Sequence, residues 1–292
     1  MELIIRGLTK KYGKKLALND FNALLTPGIY GLLGPNGAGK STLMNLLADN
    51  LKADQGEVLF DGVDTIKLGK QFRRVLGFMP QQQGLYDNFT ALRFLYYIAA
   101  LKGMKKKKAR EDINKVLALV NLTNDAHKKL GSYSGGMKQR ILIAQAILND
   151  PKVVILDEPT AGLDPKERIR IRNLISEISF NKIVIIATHV VSDIEYIAKE
   201  IIMLKDGHLL EKKSPSELIE TVRMKVFEVR ITEDLIKQIE EKYKVGNIAR
   251  DKDKVVVRVL SDTPPIEYDY NLAQPGLEDV YLYLFDQVED GY

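Results

Sequence analysis

A glycine-rich segment at residues 34–41 constrains the fold of this 292-residue chain more than any other feature. It follows an apolar run at residues 29–33, which reads as a buried strand, and it opens residues 41–51, where leucines recur at helical spacing. Glycines let backbone N–H groups curl around a phosphate group, and the following helix directs the positive end of its dipole at the same anion. The segment therefore predicts a strand, a phosphate-binding loop and a helix, which together open an α/β nucleotide-binding unit.

The segment reads Gly-Pro-Asn-Gly-Ala-Gly-Lys-Ser, and it matches the phosphate-binding loop pattern at every fixed position. A chance glycine turn would not be expected to meet all of these positions between a strand and a helix. Lys40 can bridge the β- and γ-phosphates of a nucleotide, and the hydroxyl of Ser41 suits Mg²⁺. The residues predicted to hold the nucleotide in this segment are Gly34, Pro35, Asn36, Gly37, Ala38, Gly39, Lys40, Ser41 and Thr42.

A second motif combines an apolar run with two carboxylates. Residues 153–156 are all apolar and predict a buried parallel strand, and Asp157 and Glu158 follow directly. Open α/β sheets bind ligands at the carboxyl ends of their strands, where Asp157 is expected to emerge. There, Asp157 can hold a Mg²⁺-bound water, and Glu158 can polarise an attacking water as a general base. An acidic turn after a strand is common, but beside a phosphate-binding loop the catalytic interpretation is favoured.

Residues 133–137 read Tyr-Ser-Gly-Gly-Met, and Ser134 can cap a helix whose first amides the glycines leave bare. The motif resembles the signature motif of ATP-binding-cassette transporter subunits, usually Leu-Ser-Gly-Gly-Gln, with departures at Tyr133 and Met137. The positions expected to touch phosphate are intact, and they are Ser134, Gly135 and Gly136. The resemblance implies that these residues bind the γ-phosphate of ATP held by a second cassette, in a dimer that we expect to be homomeric.

The resemblance extends to four further positions and covers residues 1 to about 220. Tyr12 matches the aromatic residue that stacks on adenine, and Gln81 matches the glutamine that closes one side of the Mg²⁺ site. Residues 82 and 83 are also glutamines, so the assignment among the three is open. His189, after an apolar run, matches the switch histidine that contacts the γ-phosphate, and residues 161–164 match the loop that crosses to the partner. The implied cofactors are ATP and Mg²⁺, with Ser41, Gln81 and Asp157 on the metal.

The pattern of elements divides the chain into two domains, at residues 1–220 and 221–292. We expect the first to be a P-loop NTPase cassette of the α/β class, in which a helical subdomain at about residues 82–147 interrupts the parallel sheet. The second reads as a small α+β domain. Its expected elements are strands at 227–231 and 255–260 and helices at 233–243 and 276–288.

Composition excludes several classes of protein. The chain has no cysteine, which excludes disulfides and thiolate zinc sites, and no apolar run approaches the roughly 18 residues of a membrane helix. Residues 1–220 carry 33 Lys and Arg against 24 Asp and Glu, and residues 221–292 carry 10 against 15. This mild basic excess gives no reason to expect a nucleic-acid partner, and the acidic second domain argues against one. A basic cluster at residues 104–110 is interpreted as a solvated helix end, with anionic lipid headgroups as the alternative contact.

The sequence thus predicts an ATPase that powers a transporter through separate membrane-spanning permease subunits, at the cytoplasmic face of the cell membrane. The variant signature and the sequence Leu-Glu-Asp-Val at residues 277–280 resemble the branch that exports drugs, antimicrobial peptides and lipids. The alternative is a soluble ATPase of the same superfamily that acts in translation or DNA repair. Those relatives carry two cassettes or a long coiled coil, and this chain has neither. A GTPase is disfavoured, because the guanine-reading motif lacks its aspartate at residues 181–184, and a small-molecule kinase is disfavoured, because the Ser-Gly-Gly element has no role in kinases.

Overall fold

The computed structural model describes residues 1–81, 84–251 and 254–285. These residues divide into two compact units, the first from Met1 to Lys212 and the second beginning at Lys213. The sequence division at residue 220 falls eight residues further on than this boundary, so a short helix at Pro215–Glu220 belongs to the second unit. Gln82 and Gln83, the alternatives to Gln81, lie outside the described residues, as does the end of the helix predicted at 276–288.

The first unit contains two sheets and a group of helices. Its strands are β1 (Leu3–Tyr12), β2 (Lys15–Leu25), β3 (Gly28–Leu33), β4 (Gln55–Phe60), β5 (Val63–Asp64), β6 (Leu76–Met79), β7 (Val153–Asp157), β8 (Ile183–Ala187), β9 (Glu200–Lys205) and β10 (His208–Lys213). Its α-helices are α1 (Lys40–Leu47), α2 (Thr65–Leu68), α3 (Lys70–Val75), α4 (Ala91–Leu101), α5 (Lys106–Leu119), α6 (Gly135–Ile147) and α7 (Pro165–Ile178).

The six-stranded sheet positions the candidate site. Its strand order is β10-β9-β3-β8-β7-β6, and the pairs β9–β3, β3–β8, β8–β7 and β7–β6 are parallel. Every residue of β7 and β8 is buried, which explains why these strands are continuous apolar runs. The strand predicted at 153–156 is thereby confirmed, and the apolar run before His189 is strand β8. Since β3 and β7 are separated only by β8, the loops after β3 and β7 open at the same edge of the sheet.

The second sheet of this unit is antiparallel, with the strand order β2-β1-β4-β5. Buried side chains from this sheet, from α1 and from the parallel sheet form one core, in which Phe21, Tyr30, Met44 and Phe72 are among the largest members. Burying one large apolar side chain is worth about 1.5–3 kcal/mol, so this core is a main source of stability for the loop that connects β3 to α1.

Helices α4, α5 and α6 pack against one another and form the predicted helical insertion. Phe94, Ile113 and Ile141 are almost completely buried. Thr90 caps α4 by accepting a hydrogen bond of 3.1 Å from the Arg93 amide. In the part of the chain that the structure describes, no helix is both long and apolar enough to cross a membrane.

The second unit is an antiparallel sheet with helices. Its elements are α8 (Pro215–Glu220), β11 (Val226–Ile231), α9 (Ile236–Lys242), β12 (Lys244–Asp251), β13 (Lys254–Leu260), β14 (Asp269–Leu272) and α10 (Leu277–Phe285). The strand order is β12-β13-β11-β14, and Phe227, Val229, Val257 and Val259 lie in its core with Ile239 of α9. The predicted strands and helices are present, but β12 and β14 were not predicted.

An ion pair joins α10 to this sheet. The guanidinium of Arg258 on β13 donates two hydrogen bonds of 2.8 Å to the carboxylate of Asp279, and a third of 2.6 Å to the carbonyl of Gln274. The amide of Gly276 also donates to Asp279, at 2.7 Å. Asp279 is only 4% exposed, so its charge is compensated almost wholly within the protein.

Candidate nucleotide-binding site

The loop between β3 and α1 is held close to neighbouring backbone by its glycines. Gly39, which precedes α1, has a φ of 106°, and a Cβ there would lie 2.4 Å from the carbonyl oxygen of Ala17. A Cβ on Gly34 would lie 2.1 Å from the carbonyl oxygen of Leu204. No larger residue fits at either position without moving backbone, so the glycine pattern of the sequence follows from packing as well as from phosphate access.

Lys40, the first residue of α1, turns back over its own loop. Its Nζ donates to the carbonyl oxygens of Gly34 at 2.6 Å and Pro35 at 3.0 Å. Burial lowers the pKa of Lys40, while the carboxylates of Glu158 and Asp157 act in the opposite direction. The ammonium group is therefore surrounded by oxygen atoms and lies in the electrostatic field of the two acids that follow β7.

A cavity of 260 Å³ brings most of the predicted site residues together. Its lining residues are Tyr12, Lys15, Ala17, Asn36, Gly37, Gly39, Lys40, Ser41, Thr42, Gln81, Asp157 and Glu158. Gly34, Pro35 and Ala38 belong to the loop but do not line the cavity. Tyr12 is about half exposed at the rim, which leaves its ring accessible to a flat ligand.

Sequence reasoning missed Lys15 and Ala17. Both lie at the start of β2, at the residues that follow the Tyr12 turn, and Lys15 adds a second cation to the cavity beside Lys40. The signal was available as Lys14-Lys15, a basic pair that directly follows the predicted adenine-stacking segment.

Asp157 and Glu158 occupy the carboxyl end of β7, as the sequence predicts. Burial raises the pKa of Asp157 to about 6; Glu158 adds to this rise and Lys40 opposes it. Glu158 has a φ of 51°, and its amide donates to the carbonyl of Ala187 at 2.9 Å, which fixes the turn after the strand. Such left-handed backbone at a non-glycine residue is often found at functional sites.

His189 reaches this acidic pair from the neighbouring strand end. Its Nδ1 lies 2.9 Å from Oε1 of Glu158, and its own side chain is 65% exposed. Oε2 of Glu158 is buried and has no hydrogen-bond partner among the described residues. A buried carboxylate oxygen without a donor is costly, so this atom is available to a water molecule or a ligand group in the cavity.

The signature segment caps α6 and lies outside the cavity. Ser134 Oγ accepts a hydrogen bond of 3.3 Å from the Met137 amide, and Ser134 and Gly135 are exposed. Tyr133, which departs from the family pattern, is buried, and its hydroxyl donates to the carbonyl of Asp125 at 2.8 Å. Burial raises the pKa of Tyr133 to about 12. The departure is therefore accommodated by a local hydrogen bond and leaves the exposed helix start unchanged.

The residues present fit a nucleotide and its metal. The glycine loop is a cradle of backbone amides at the start of α1, Lys40 and Lys15 supply positive charge, and Glu158 offers an unpaired oxygen. The described residues contain no group of three or more histidines or acids that could hold a metal by themselves. A hydroxyl, an amide oxygen and one carboxylate, as in Ser41, Gln81 and Asp157, suit Mg²⁺ that keeps water and phosphate among its ligands.

A larger groove of 910 Å³ lies elsewhere in the first unit. Apolar residues of β6 and α4, including Phe78, Ile98 and Leu101, form part of its wall. Its basic residues are Lys70, Arg73, Arg74 and Lys102. None of the predicted nucleotide ligands lines this groove, so it is a separate surface of the first unit.

This fold and cavity define an ATP-binding cassette, and comparison with known proteins supports the assignment. The profile of the ABC transporter family matches residues 18–161. The bacitracin transport ATP-binding protein BcrA of Bacillus licheniformis is 34% identical over 292 residues, which cover 98% of this chain and 88% of the relative. The Nod factor export ATP-binding protein I of Burkholderia orbicola is 35% identical over 221 residues, or 74% of this chain and 72% of the relative.

A solved structure agrees with the sequence comparisons. The dimeric post-hydrolysis state of the ATP-binding cassette MJ0796, bound to ADP and Pi, superimposes with a TM-score of 0.64 and 30% identity. The match covers 73% of this chain and 98% of that cassette. The chain belongs to the ABC transporter family as an ATP-binding protein, and members of this cassette family hydrolyse ATP. The predicted family, fold class and ATPase activity are thereby confirmed, and the soluble translation or repair ATPase is not supported.

Proposed function

We propose that this chain binds MgATP in the 260 Å³ cavity and hydrolyses it to drive a membrane transporter. The observation that carries the proposal is the convergence of Lys40, Ser41, Gln81, Asp157 and Glu158 on one cavity at the carboxyl edge of the parallel sheet. Tyr12 at the rim stacks on adenine, and the loop amides of residues 34–42 surround the phosphates. Lys40 then exchanges its carbonyl partners for phosphate oxygens.

The remaining residues divide the chemistry. Ser41, Gln81 and Asp157 would hold Mg²⁺, which when bound neutralises charge on the phosphate oxygens. Glu158 is the general base: its unpaired Oε2 accepts the proton of the attacking water, and its other oxygen remains near His189. His189, at the exposed end of this contact, donates to the γ-phosphate and holds Glu158 in place.

A second cassette completes the site. Ser134, Gly135 and Gly136 lie outside the cavity of their own chain, and the exposed helix start at Ser134 suits a phosphate from another subunit. Two copies in head-to-tail arrangement would therefore enclose two ATP molecules, each between the loop of one chain and the signature segment of the other. A dimeric state of the similar cassette MJ0796 supports this arrangement. We expect a homodimer, with residues 161–164 crossing to the partner.

The partners proposed for this dimer are membrane-spanning permease subunits, which place it at the cytoplasmic face of the cell membrane. The groove between β6 and α4 is the surface we assign to them, because it is large, partly apolar and separate from the nucleotide site. Export is the proposed direction, because a similar protein from Burkholderia orbicola carries an export function in its name. We propose no role for nucleic acid.

The variant Glu158→Gln tests the proposal. It removes the base but keeps the size of the side chain, so ATP turnover should fall by at least about a hundredfold while ATP binding is retained. Because hydrolysis no longer separates the subunits, the variant should elute as an ATP-dependent dimer in size-exclusion chromatography. Glu177→Gln, an exposed change of the same chemistry on α7, is the control and should behave as wild type. Wild-type turnover in Glu158→Gln would exclude Glu158 as the base.

A second experiment tests the permease partner. Affinity purification of the chain from detergent-solubilised membranes should recover a protein with several membrane-spanning helices. Substitution of Leu101 and Ile98 by Ser in the groove should abolish that recovery without changing ATP affinity, because neither residue lines the nucleotide cavity. Recovery of ribosomes or of a DNA-repair complex instead would contradict the transporter assignment.

A further inference from the structure

The segment from the end of α4 into the start of α5, residues 101–110, is called the α4–α5 turn. It carries the densest positive charge of the first unit, at residues 105–108 and Arg110. All five side chains are exposed. Among the described residues none of them takes part in an ion pair, although Glu111 and Asp112 follow one turn later on the same helix. Asp150 forms a hydrogen bond of 2.6 Å with Lys182. Lys182 is the main cause of the lowered pKa of Asp150, and Lys108 contributes least. The charge of this cluster is therefore largely uncompensated within the protein.

The positive charge of the cluster is unfavourable at the N-terminus of α5. Lys105 is the N-cap residue of α5 and makes no side-chain capping bond, and the first turn contains Lys106, Lys107 and Lys108 with no acidic residue. Cations at a helix N-terminus are disfavoured by the helix dipole, and four adjacent lysines also repel one another. If the cluster were only a solvated helix end, nothing would explain why the chain tolerates this unfavourable electrostatic free energy. Local rules are broken most often where a binding surface requires it.

Apolar and aromatic side chains are exposed on α4, the helix that precedes the cluster. Leu101, the last residue of that helix, is 67% exposed, and Tyr97, one turn before it, is 41% exposed. Tyr96 is exposed beside them. Basic residues combined with exposed leucine and tyrosine are the composition of segments that lie at the surface of an anionic bilayer, with rings at the level of the headgroups. A nucleic-acid surface would not require an exposed leucine.

The basic surface continues into the groove assigned to the permease. Leu101 ends α4, and it lines the groove together with Lys102 and Gly103, which follow the helix. Lys70 and Arg74 add further charge to the groove. If a membrane-spanning subunit occupies this groove, then the α4–α5 turn lies beside that subunit, at the level of the lipid headgroups. This step depends on the proposed function, whereas the charge and exposure of the turn do not.

We propose that the α4–α5 turn, residues 101–110, binds anionic lipid headgroups and so holds the cassette against the inner face of the membrane. Each basic side chain close to an anionic surface strengthens the partition of a protein onto it roughly fivefold, so four lysines suffice for measurable binding. Leu101 adds a contribution that salt does not screen.

Vesicle co-sedimentation of the purified full chain, without nucleotide or permease, tests the proposal. We expect binding to vesicles that contain phosphatidylglycerol, weak binding to pure phosphatidylcholine, and a decline with added salt. Substitution of residues 105–108 by Gln should reduce partition onto the anionic vesicles by at least about tenfold. Leu101→Ser should reduce the part of the binding that remains at high salt.

The matched control is Gln at Lys52, Lys67, Lys128 and Lys129, which are exposed elsewhere in the same unit and give the same change of net charge. This control should change partition less than about twofold, and basal ATPase activity should be unchanged in both quadruple variants. Equal loss in the two quadruple variants would overturn the proposal, since net charge alone would then explain the binding. Binding to single-stranded RNA but not to anionic vesicles would overturn it as well. Because no ATP is present, failure here leaves the ATPase assignment untouched.

Discussion

The hydroxyl of Thr160 donates a hydrogen bond of 2.5 Å to Oδ2 of Asp193, and both side chains are buried. Thr160 lies two residues after Glu158, and Asp193 lies four residues after His189. The bond therefore ties together the two chain segments that carry the proposed base and the histidine that contacts it. Its buried position makes the geometry of the Glu158–His189 contact depend on a pair of residues outside the cavity.

Thr160→Val keeps the shape of the side chain but removes the hydroxyl. The buried carboxylate of Asp193 then loses its hydrogen-bond donor from Thr160. We expect kcat for ATP hydrolysis to fall about tenfold or more, with a much smaller change in ATP affinity, because the phosphate ligands are untouched. Thr160→Ser restores the hydroxyl and should recover most of the rate. A loss of the same size in both variants would show that packing, and not the hydrogen bond, is responsible.

Lys40→Ala and His189→Ala separate binding from hydrolysis. Lys40 is proposed to bind both the β- and the γ-phosphate, so its removal should weaken ATP affinity by at least about tenfold. His189 contacts Glu158, and we propose that it otherwise meets only the last phosphate, so its removal should slow turnover while ATP affinity changes little. Equilibrium binding of a fluorescent ATP analogue and single-turnover hydrolysis measure the two effects. Equal losses of affinity in the two variants would contradict this division.

Lys102 should make the free energy of unfolding of the first unit change with pH in the alkaline range. Burial lowers its pKa from 10.5 to about 8, and its Nζ donates to the Leu148 carbonyl at 2.8 Å. Since the folded state releases this proton first, the unfolded state holds more protons between pH 8 and pH 10.5, and stability rises with pH in that window. Relative to Lys102→Met, wild type should gain about 1–3 kcal/mol across it. Urea unfolding at several pH values measures the difference, and parallel curves for the two proteins would exclude Lys102 as the cause.

Substitution of Asp279 should lower the stability of the second unit without affecting the first unit. Asp279→Ala leaves Arg258 without its two-point partner, and we expect a cost of about 2–4 kcal/mol. Hydrogen exchange of the β11 and β13 amides should accelerate, whereas ATP affinity should stay unchanged. Glu278→Ala is the control, because Glu278 is exposed and neighbours the same helix turn. Equal protection of the amides in wild type and Asp279→Ala would exclude the ion pair as a stabilising contact.

Local patterns made much of the fold and the site predictable. The glycine loop, the apolar strand before Asp157 and the Ser134 helix cap each depend on a few adjacent residues, whose spacing determines both the element and the exposed group. Strands β12 and β14 were not predicted, because their own residues lack such a local pattern. Lys244–Asp251 contains few apolar residues and a glycine, and Asp269–Leu272 is largely exposed, so neither shows the alternation that identifies a strand.

Contacts between distant parts of the chain could not be predicted from the sequence. The pairing of Thr160 with Asp193 joins residues that are 33 positions apart, and nothing in either segment identifies the other. Arg258 and Asp279 are 21 positions apart, and only the packing of α10 against the sheet selects this pair among many charges. Tyr133 was recognised as a departure from the family pattern, but its buried hydrogen bond to Asp125 depends on the fold of the preceding turn.

The position of Lys40 has a consequence for inhibitors of this cassette. Its ammonium group already has two good acceptors in the carbonyls of Gly34 and Pro35, at 2.6 and 3.0 Å. The measured affinity of any phosphate compound is therefore an exchange energy, the difference between the new contact and the two that it replaces. A competitor that stacks on Tyr12 and stops short of this lysine avoids that exchange. Such a compound could bind well without a phosphate group, and its affinity should be unchanged by substitution of Lys40.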